Sequence, residues 1–213
     1  SRWRRPKTKR EISEMPDFTY ENQMYEKGYT AVCGCDEAGR GPLCGPVVAA
    51  AVILPRDCVI EGLDDSKKLT KKKREKLYDV ICREAVAYGI AESSPAEIDD
   101  INILNASMLA MRRAVDKLSV KADFAIIDGN HSRGFSIDTL PLVGGDHLSY
   151  SVAAASVLAK VTRDRMCERL DKEYPGYGIA KHKGYPTKEH MDAVRRLGPT
   201  PIYRKTFLKF LDK

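Results

Sequence analysis

Apolar residues fall in short bursts along this chain, separated by glycine, proline and charge. The run VVAAAVIL at 47–54 is continuous, of strand length, and closed by Pro55. TAVCGCD at 30–36 is small and partly β-branched and reads as an earlier strand, after which Gly39, Gly41, Pro42, Gly45 and Pro46 break regular structure. AVAYGIA at 85–91 predicts a third strand. DFAIID at 123–128 predicts a fourth, stopped by Gly129-Asn130, and 139–143 a fifth, ending at Gly144-Gly145-Asp146.

Helical periodicity fills the intervals. Leu77, Val80 and Ile81 repeat at helix spacing within 71–83. Ser94-Pro95 with Glu97 makes a helix start, Ser at N-cap, Pro at N1 and Glu at N3. A longer helix over 103–119 carries Leu104, Met108, Met111, Val115 and Leu118 in one apolar stripe, so its methionines are core filler. Further helices are expected over 148–173, over 188–197 behind an N-capping Thr187, and briefly over 204–211. A short helix within 11–27 would dock through Phe18, Tyr20 and Tyr25. Strands interleaved with helices in this order predict an α/β sheet of mixed strand directions.

At 213 residues the chain fits one domain, or one domain with an appendage. No apolar run approaches the roughly 18 residues that span a bilayer. No signal-peptide pattern opens the chain, which suggests an intracellular protein. The net charge of +6 is unevenly placed: SRWRRPKTKR at 1–10 carries six Lys/Arg and no acid, leaving 30 basic and 30 acidic residues in the rest. That tail is either a solvated terminus or a sequence-blind attractor of nucleic acid or anionic surfaces. The six cysteines include a C-x-C at 33 and 35 rather than C-x-x-C, and all read as reduced thiols.

Carboxylates stand where three strands end. Asp36-Glu37 closes the first, Asp128 the fourth, and Asp146 follows the fifth. Strand ends are where α/β sheets form sites. If strands one and four are neighbours, Asp36 and Asp128 lie side by side. Gathered acids repel and raise each other's pKa unless a cation intervenes, and oxygen-only ligands select Mg²⁺ or Mn²⁺ over zinc. Adjacent strand residues face opposite ways, so Asp36 and Glu37 share a site only if the strand ends or bulges there.

Basic and aromatic elements accompany the acids. Gly39-Arg40-Gly41 lets backbone approach a ligand while Arg grips phosphate, or forms a tight turn with a surface Arg. Ser149, Ser156, Lys160 and Arg163 fall within an arc of roughly 60° on the long helix. They suit a phosphate backbone or a solvated face, with Asp164 placed to pair with Lys160. Lys67, Lys68, Lys71, Lys72, Lys73 and Arg74 crowd a helix start, against its dipole. Tyr174, Tyr177 and Tyr185 can stack on a base or sugar or simply pack, with Lys181, His182 and Lys183 nearby. No G-x-x-x-x-G-K-[ST] loop is present, which argues against a phosphate-loop NTPase.

The string DEAGRGPLCGPVVAAAVIL at 36–54 resembles the opening motif of the type 2 ribonucleases H, bacterial ribonuclease HII in particular. DDSKKLT (64–70), IDGN (127–130), GGDHLSYSVAAASVLAKVTRD (144–164), YPGYGIAKHKGYPT (174–187) and GPTPIYRKTF (198–207) continue it in order, covering about 30–207. The resemblance implies a ribonuclease H-like fold, a five-stranded mixed sheet flanked by helices, with a C-terminal helical part from about 174 and a separate segment 1–29. It implies hydrolysis of RNA in RNA–DNA hybrids and nicking 5′ of ribonucleotides embedded in duplex DNA. It implies that Asp36, Glu37, Asp128 and Asp146 hold two Mg²⁺ or Mn²⁺ ions. Gly39-Arg40-Gly41 would read the ribose 2′-hydroxyl, Tyr185 would stack on the next sugar, and Lys67 and Arg163 would contact phosphate. Ser156 and Lys160 share the motif with less defined roles. The implied protein is a cytoplasmic monomer acting on hybrid or ribonucleotide-containing duplex, with no membrane partner. Cys44 stands where the family usually has Ala.

Overall fold

In the computed structural model, residues 15–212 are described. The elements run α1 (Thr19–Glu26), β1 (Val32–Ala38), β2 (Val47–Ile53), α2 (Lys71–Glu84), β3 (Ala87–Ser93), α3 (Pro95–Asp116), β4 (Phe124–Asp128), β5 (Asp138–Leu142), α4 (Gly145–Leu148), α5 (Tyr150–Glu173), α6 (Ile179–His182) and α7 (Lys188–Leu197). The strands form one sheet in the order β3-β2-β1-β4-β5. β1, β2 and β3 pair antiparallel, while β1–β4 and β4–β5 are parallel, so the mixed sheet expected from the sequence is present.

Strand alternation sorts the core into two faces. Cys33, Cys35, Ala49, Ala51 and Ile127 meet Ile98, Met108 and Met111 of α3. Ala50 and Val52 meet Ala154, Val157 and Leu158 of α5 on the other side. Glycine permits both layers to close. A Cβ on Gly34 would overlap the Ser151–Val152 backbone of α5, and one on Gly89 would overlap the Ala114 carbonyl of α3.

A side-chain clasp sets the β1–β4 register. Asp123 accepts hydrogen bonds from the amides of Thr30 (2.7 Å) and Ala31 (2.9 Å) and from the Thr30 hydroxyl (2.8 Å). From there the pairs run from Val32–Phe124 to Cys35–Ile127.

Several boundaries move relative to the sequence expectation. β1 runs past Asp36 to Ala38, so it neither ends nor bulges at the paired acids. β3 starts at Ala87 because α2 continues to Glu84. The helix expected over 148–173 is split, with Ser149 accepting from the Val152 amide (3.2 Å) as N-cap of α5. The segment expected as a helix over 204–211 forms two 3-10 turns, Lys205–Phe207 and Lys209–Asp212. α1 docks as expected through Phe18, Tyr20 and Tyr25. Its buried Glu21 accepts from Ser149 Oγ (2.6 Å) and the Ser151 amide (2.8 Å) at the start of α5. The basic run 1–10 lies outside the described residues.

The two helical stretches expected around 95 and 103–119 join as α3, kinked at Asn102 (φ 66°, ψ 165°). Asn102 Oδ1 accepts from the Asn105 amide (3.1 Å) and recaps the second segment. The bend brings Arg113 to within 2.6 Å of Glu97, whereas 16 residues of straight helix would separate them by about 24 Å. Glu97 also closes the capping box, accepting from the Ser94 amide (2.8 Å). The Arg113 hydrogen bond and the Ser94 amide hold its carboxyl down to about 2. A depressed pKa stabilises the fold above the ordinary Glu value and loses that contribution as pH falls toward 2. Glu97→Gln is expected to lower stability at pH 7 by about 1 kcal/mol, a figure set by capping with solvent screening of the exposed pair. Denaturant unfolding at several pH values should show the gap closing between pH 4.5 and about 2; a pH-independent gap would remove the carboxylate as its cause.

Candidate active site

The β1–β4 register brings the acids together. Asp36 and Asp128 each lie one residue beyond the Cys35–Ile127 pair of the parallel strands, Asp128 as the last residue of β4 and Asp36 near the end of β1. Asp128 Oδ1 accepts from the Gly145 amide (2.7 Å), which ties the start of α4 to the end of β4. Asp146, in the first turn of α4, thereby joins the same spot. One carboxylate oxygen from each of Asp36, Asp128 and Asp146 lies within 4.8 Å of the others.

Asp36 and Asp146 are buried. Burial, then the charges of Glu37, Asp128 and Asp146, push the Asp36 carboxyl well above the ordinary range. Burial and Asp146 raise Asp128. The cluster is an oxygen-only donor set whose charges oppose one another, and a hard divalent cation fits it better than a soft or tetrahedral metal.

Glu37 belongs to the cleft but not to this trio. Regular alternation turns Asp36 to the α5 side, paired with Ala50, and Glu37 to the α3 side, paired with Ala49. The Glu37 carboxylate rests 3.5 Å from Arg40 Nη1. Burial raises its pKa against the lowering pull of Arg40.

Lys67 Nζ donates to Asp146 Oδ2 at 2.9 Å. Burial works against its charge, but that hydrogen bond and the charges of Asp146, Asp65 and Asp36 outweigh it and raise the ammonium pKa. Asp65, Asp146 and His147 form a second group of potential ligand atoms sharing Asp146. Asp65 and His147 sit inside quoted motifs, and nothing in the pattern distinguished them from neighbouring polar residues.

A cleft of ≈ 340 Å³ opens over the acids. Asp36, Glu37 and Asp128 line it, together with all eight residues assigned to substrate contact: Gly39, Arg40, Gly41, Lys67, Ser156, Lys160, Arg163 and Tyr185. The structure arranges these differently from one another. Tyr185 is 44% exposed, and a Cβ on Gly41 would lie 3.2 Å from its ring. Lys160 pairs with Asp164 at 2.7 Å, as its spacing predicts. Ser156 is buried and accepts from the Ser66 amide (3.3 Å).

Arg163 is also buried, its donors spent on the carbonyls of Pro46 (3.3 Å), Lys183 (3.0 Å) and Cys44 (3.2 Å). The stripe on α5 is therefore not a solvated face: Ser149, Ser156 and Arg163 are buried, and Lys160 alone stays partly exposed. The cations of the 67–74 run are largely paired, Lys68 with Asp64, Lys71 with Glu168 and Arg74 with Asp164. Of the three candidate tyrosines only Tyr185 faces the cleft; Tyr177 is buried, donating to Gly198 O at 2.6 Å, and Tyr174 packs beside it.

Residues 33–211 match the protein-family model of ribonuclease HII. Ribonuclease HII of Acetivibrio thermocellus is 53% identical over 190 residues, 89% of this chain and 74% of that protein. Ribonuclease HII of Caldanaerobacter subterraneus subsp. tengcongensis is 49% identical over 201 residues, 94% of this chain and 83% of that one. The crystal structure of ribonuclease H2 from Pyrococcus horikoshii OT3 superposes with a TM-score of 0.71 at 27% identity, covering 86% of this chain and 97% of its own. The chain therefore belongs to the ribonuclease HII family.

Proposed function

We propose that the protein hydrolyses the RNA strand of RNA–DNA hybrids and nicks duplex DNA on the 5′ side of embedded ribonucleotides, leaving 3′-hydroxyl and 5′-phosphate ends. The observation that carries this reading is the meeting of Asp36, Asp128 and Asp146, the first two lining a cleft that Arg40, Lys67 and Lys160 also line. These acids, with Glu37 at the rim, would hold Mg²⁺ or Mn²⁺. A pair of such ions held there would supply activation of water and charge stabilisation at the leaving 3′ oxygen.

The chain's own groups orient the duplex. Gly41, beside the Tyr185 ring, leaves room for a sugar to approach backbone, and the 2′-hydroxyl is the feature that separates RNA from DNA. Lys67 donates to Asp146, and would be released toward phosphate if cations took over the balancing of that charge. Arg163 serves the phosphate path by holding the loops at 44–46 and 183 in place. The test is cleavage of three duplexes of one sequence, all-DNA, one ribonucleotide and full hybrid, each with and without Mg²⁺. Cutting of the last two only, and only with metal, is expected. Metal-independent cutting, or cutting of the all-DNA duplex, overturns the reading.

Tyr185, exposed in the cleft, would stack on the deoxyribose that follows the ribonucleotide. Base or sugar stacking on an aromatic ring contributes about 1–3 kcal/mol. Tyr185→Ala is therefore expected to slow cleavage at a single ribonucleotide by about 10- to 100-fold, more than it weakens hybrid affinity. Tyr185→Phe should stay close to wild type. Equal kinetics in the alanine variant would remove the ring from the junction.

A further inference from the structure

The motif at 198–207 has no part in the reading above, yet it carries Arg204, a side chain with no exposed surface. A buried guanidinium is costly unless its donors are satisfied. Among the described residues no carboxylate pairs with Arg204. Its partners are main-chain carbonyls: Nε donates to Gly45 O (3.0 Å), Nη1 to Arg40 O (2.9 Å) and Nη2 to Gly39 O (2.7 Å). The Arg204 amide donates to Leu43 O (2.9 Å), and the Gly45 amide to Ile202 O (2.9 Å). Arg163 takes two more carbonyls of the same loop, those of Cys44 and Pro46. Gly39 adopts φ +97°, and a Cβ there would overlap the Arg163 guanidinium, so the loop lies directly on these cations.

This arrangement dictates where the loop's amides point. In a trans peptide the C=O and the following N–H are directed oppositely. The carbonyls of Gly39 and Arg40 turn inward to Arg204, so the amides of Arg40 and Gly41 turn away from it. Both residues line the cleft, and neither amide has an acceptor among the described residues.

We propose that Arg204 is the positioning residue for ribose selectivity: from the C-terminal motif it pulls the carbonyls of Gly39 and Arg40 inward and presents the Arg40 and Gly41 amides to the 2′-hydroxyl oxygen of a ribonucleotide. The inference rests on the reading of residues 39–41 as the ribose-contacting segment. A lysine cannot reproduce the fork, because a single ammonium reaches fewer of three separated carbonyls.

The experiment compares wild type with Arg204→Lys on a duplex bearing one ribonucleotide, with an all-DNA duplex of the same sequence as competitor. The competitor offers every phosphate and no 2′-hydroxyl. kcat/KM is expected to fall about 100-fold, the scale of an ångström misplacement, while the competitor's inhibition constant and Mn²⁺ affinity of the free enzyme keep their wild-type values. An unchanged kcat/KM overturns the proposal, and so does equal weakening of substrate and competitor, which would show a phosphate grip or a general structural loss.

Should Arg204→Lys not fold, Asp99→Ala takes its place. Asp99 anchors the same segment from the surface, accepting from the amides of Lys205 (2.8 Å) and Thr206 (2.9 Å). Its loss should reduce cleavage selectivity in the same direction, and an unaltered selectivity then overturns the proposal. Gly41→Ala separates the two readings. If it leaves ribose selectivity intact, the segment 39–41 does not read the sugar. If it abolishes selectivity while Arg204→Lys retains it, the role of Arg204 alone falls.

Discussion

Asp36→Asn is expected to give a folded protein that no longer cuts, with the single-turnover rate on a hybrid down by at least about 1,000-fold, the equivalent of about 4 kcal/mol. The carboxylate lies within 4.8 Å of two others, and amide replacement removes both a ligand and a negative charge from that point. The same change should make the metal-free protein more stable. Burial and the neighbouring acids raise the Asp36 pKa, so its charged form is disfavoured in the folded state. A raised carboxylate pKa means that the folded protein binds more protons than the unfolded chain, and stability falls as pH rises from the ordinary Asp value through the folded one. Metal-free wild type should accordingly melt higher as pH is lowered through the folded pKa toward the ordinary Asp value, and Asp36→Asn should show less of that gain. Added Mg²⁺ should raise the melting temperature of wild type more than that of the variant. Retained cleavage would remove Asp36 from the chemistry. An unchanged metal-free melting temperature would mean that the acids do not strain one another.

Gly34→Ala is expected to have the largest effect on stability. The added methyl would occupy the space of the Ser151–Val152 backbone. Neither that helix nor β1 can give way alone, because α5 is pinned at its start by Glu21 and Ser149 and β1 is paired on both edges. Overpacking of this kind costs about 3 kcal/mol or more, a large share of the roughly 5–15 kcal/mol that holds a domain together. Calorimetry should register a fall in melting temperature of about 10 °C. Activity should fall as well, since the start of α5 follows directly on Asp146. Gly89→Ala makes the matching overlap with Ala114 of α3, on the face of the sheet opposite α5, and should lower stability while sparing kcat. Equal loss of kcat in both variants would show that the activity reports only global stability.

Local chemistry was legible in the sequence. Ser94 with Glu97 and Thr187 cap helices where their types and spacing place them. The five strands are present because strand-length apolar runs bounded by glycine and proline have few other solutions. Strand order was not legible, since the same five runs fit several pairings. The acids could be gathered only on the condition that strands one and four are neighbours, and the structure meets it. The relation of Asp36 to Glu37 was misjudged in one respect: the strand continues, and the two carboxylates start from opposite faces. Arg163 and Arg204 show a deeper limit. A buried arginine satisfied by carbonyls has the same sequence signature as a surface one, because its partners are main-chain atoms brought in from distant segments.

The Asp123 clasp has a consequence for how the gene can vary. Ala31 and Asp123 are joined at the start of β1 and β4, and each clustered aspartate stands five residues further on, at 36 and 128. The separation of the two carboxylates is thus a matter of counting along two parallel chains from a common origin. A one-residue insertion or deletion within 32–35 or 124–127 would preserve an apolar core of nearly the same composition, yet it would carry one acid to the far side of the sheet. Length changes in 129–137, beyond both acids, leave that count untouched. The site constrains spacing as tightly as identity, and tolerated indels should stop abruptly at the clasp.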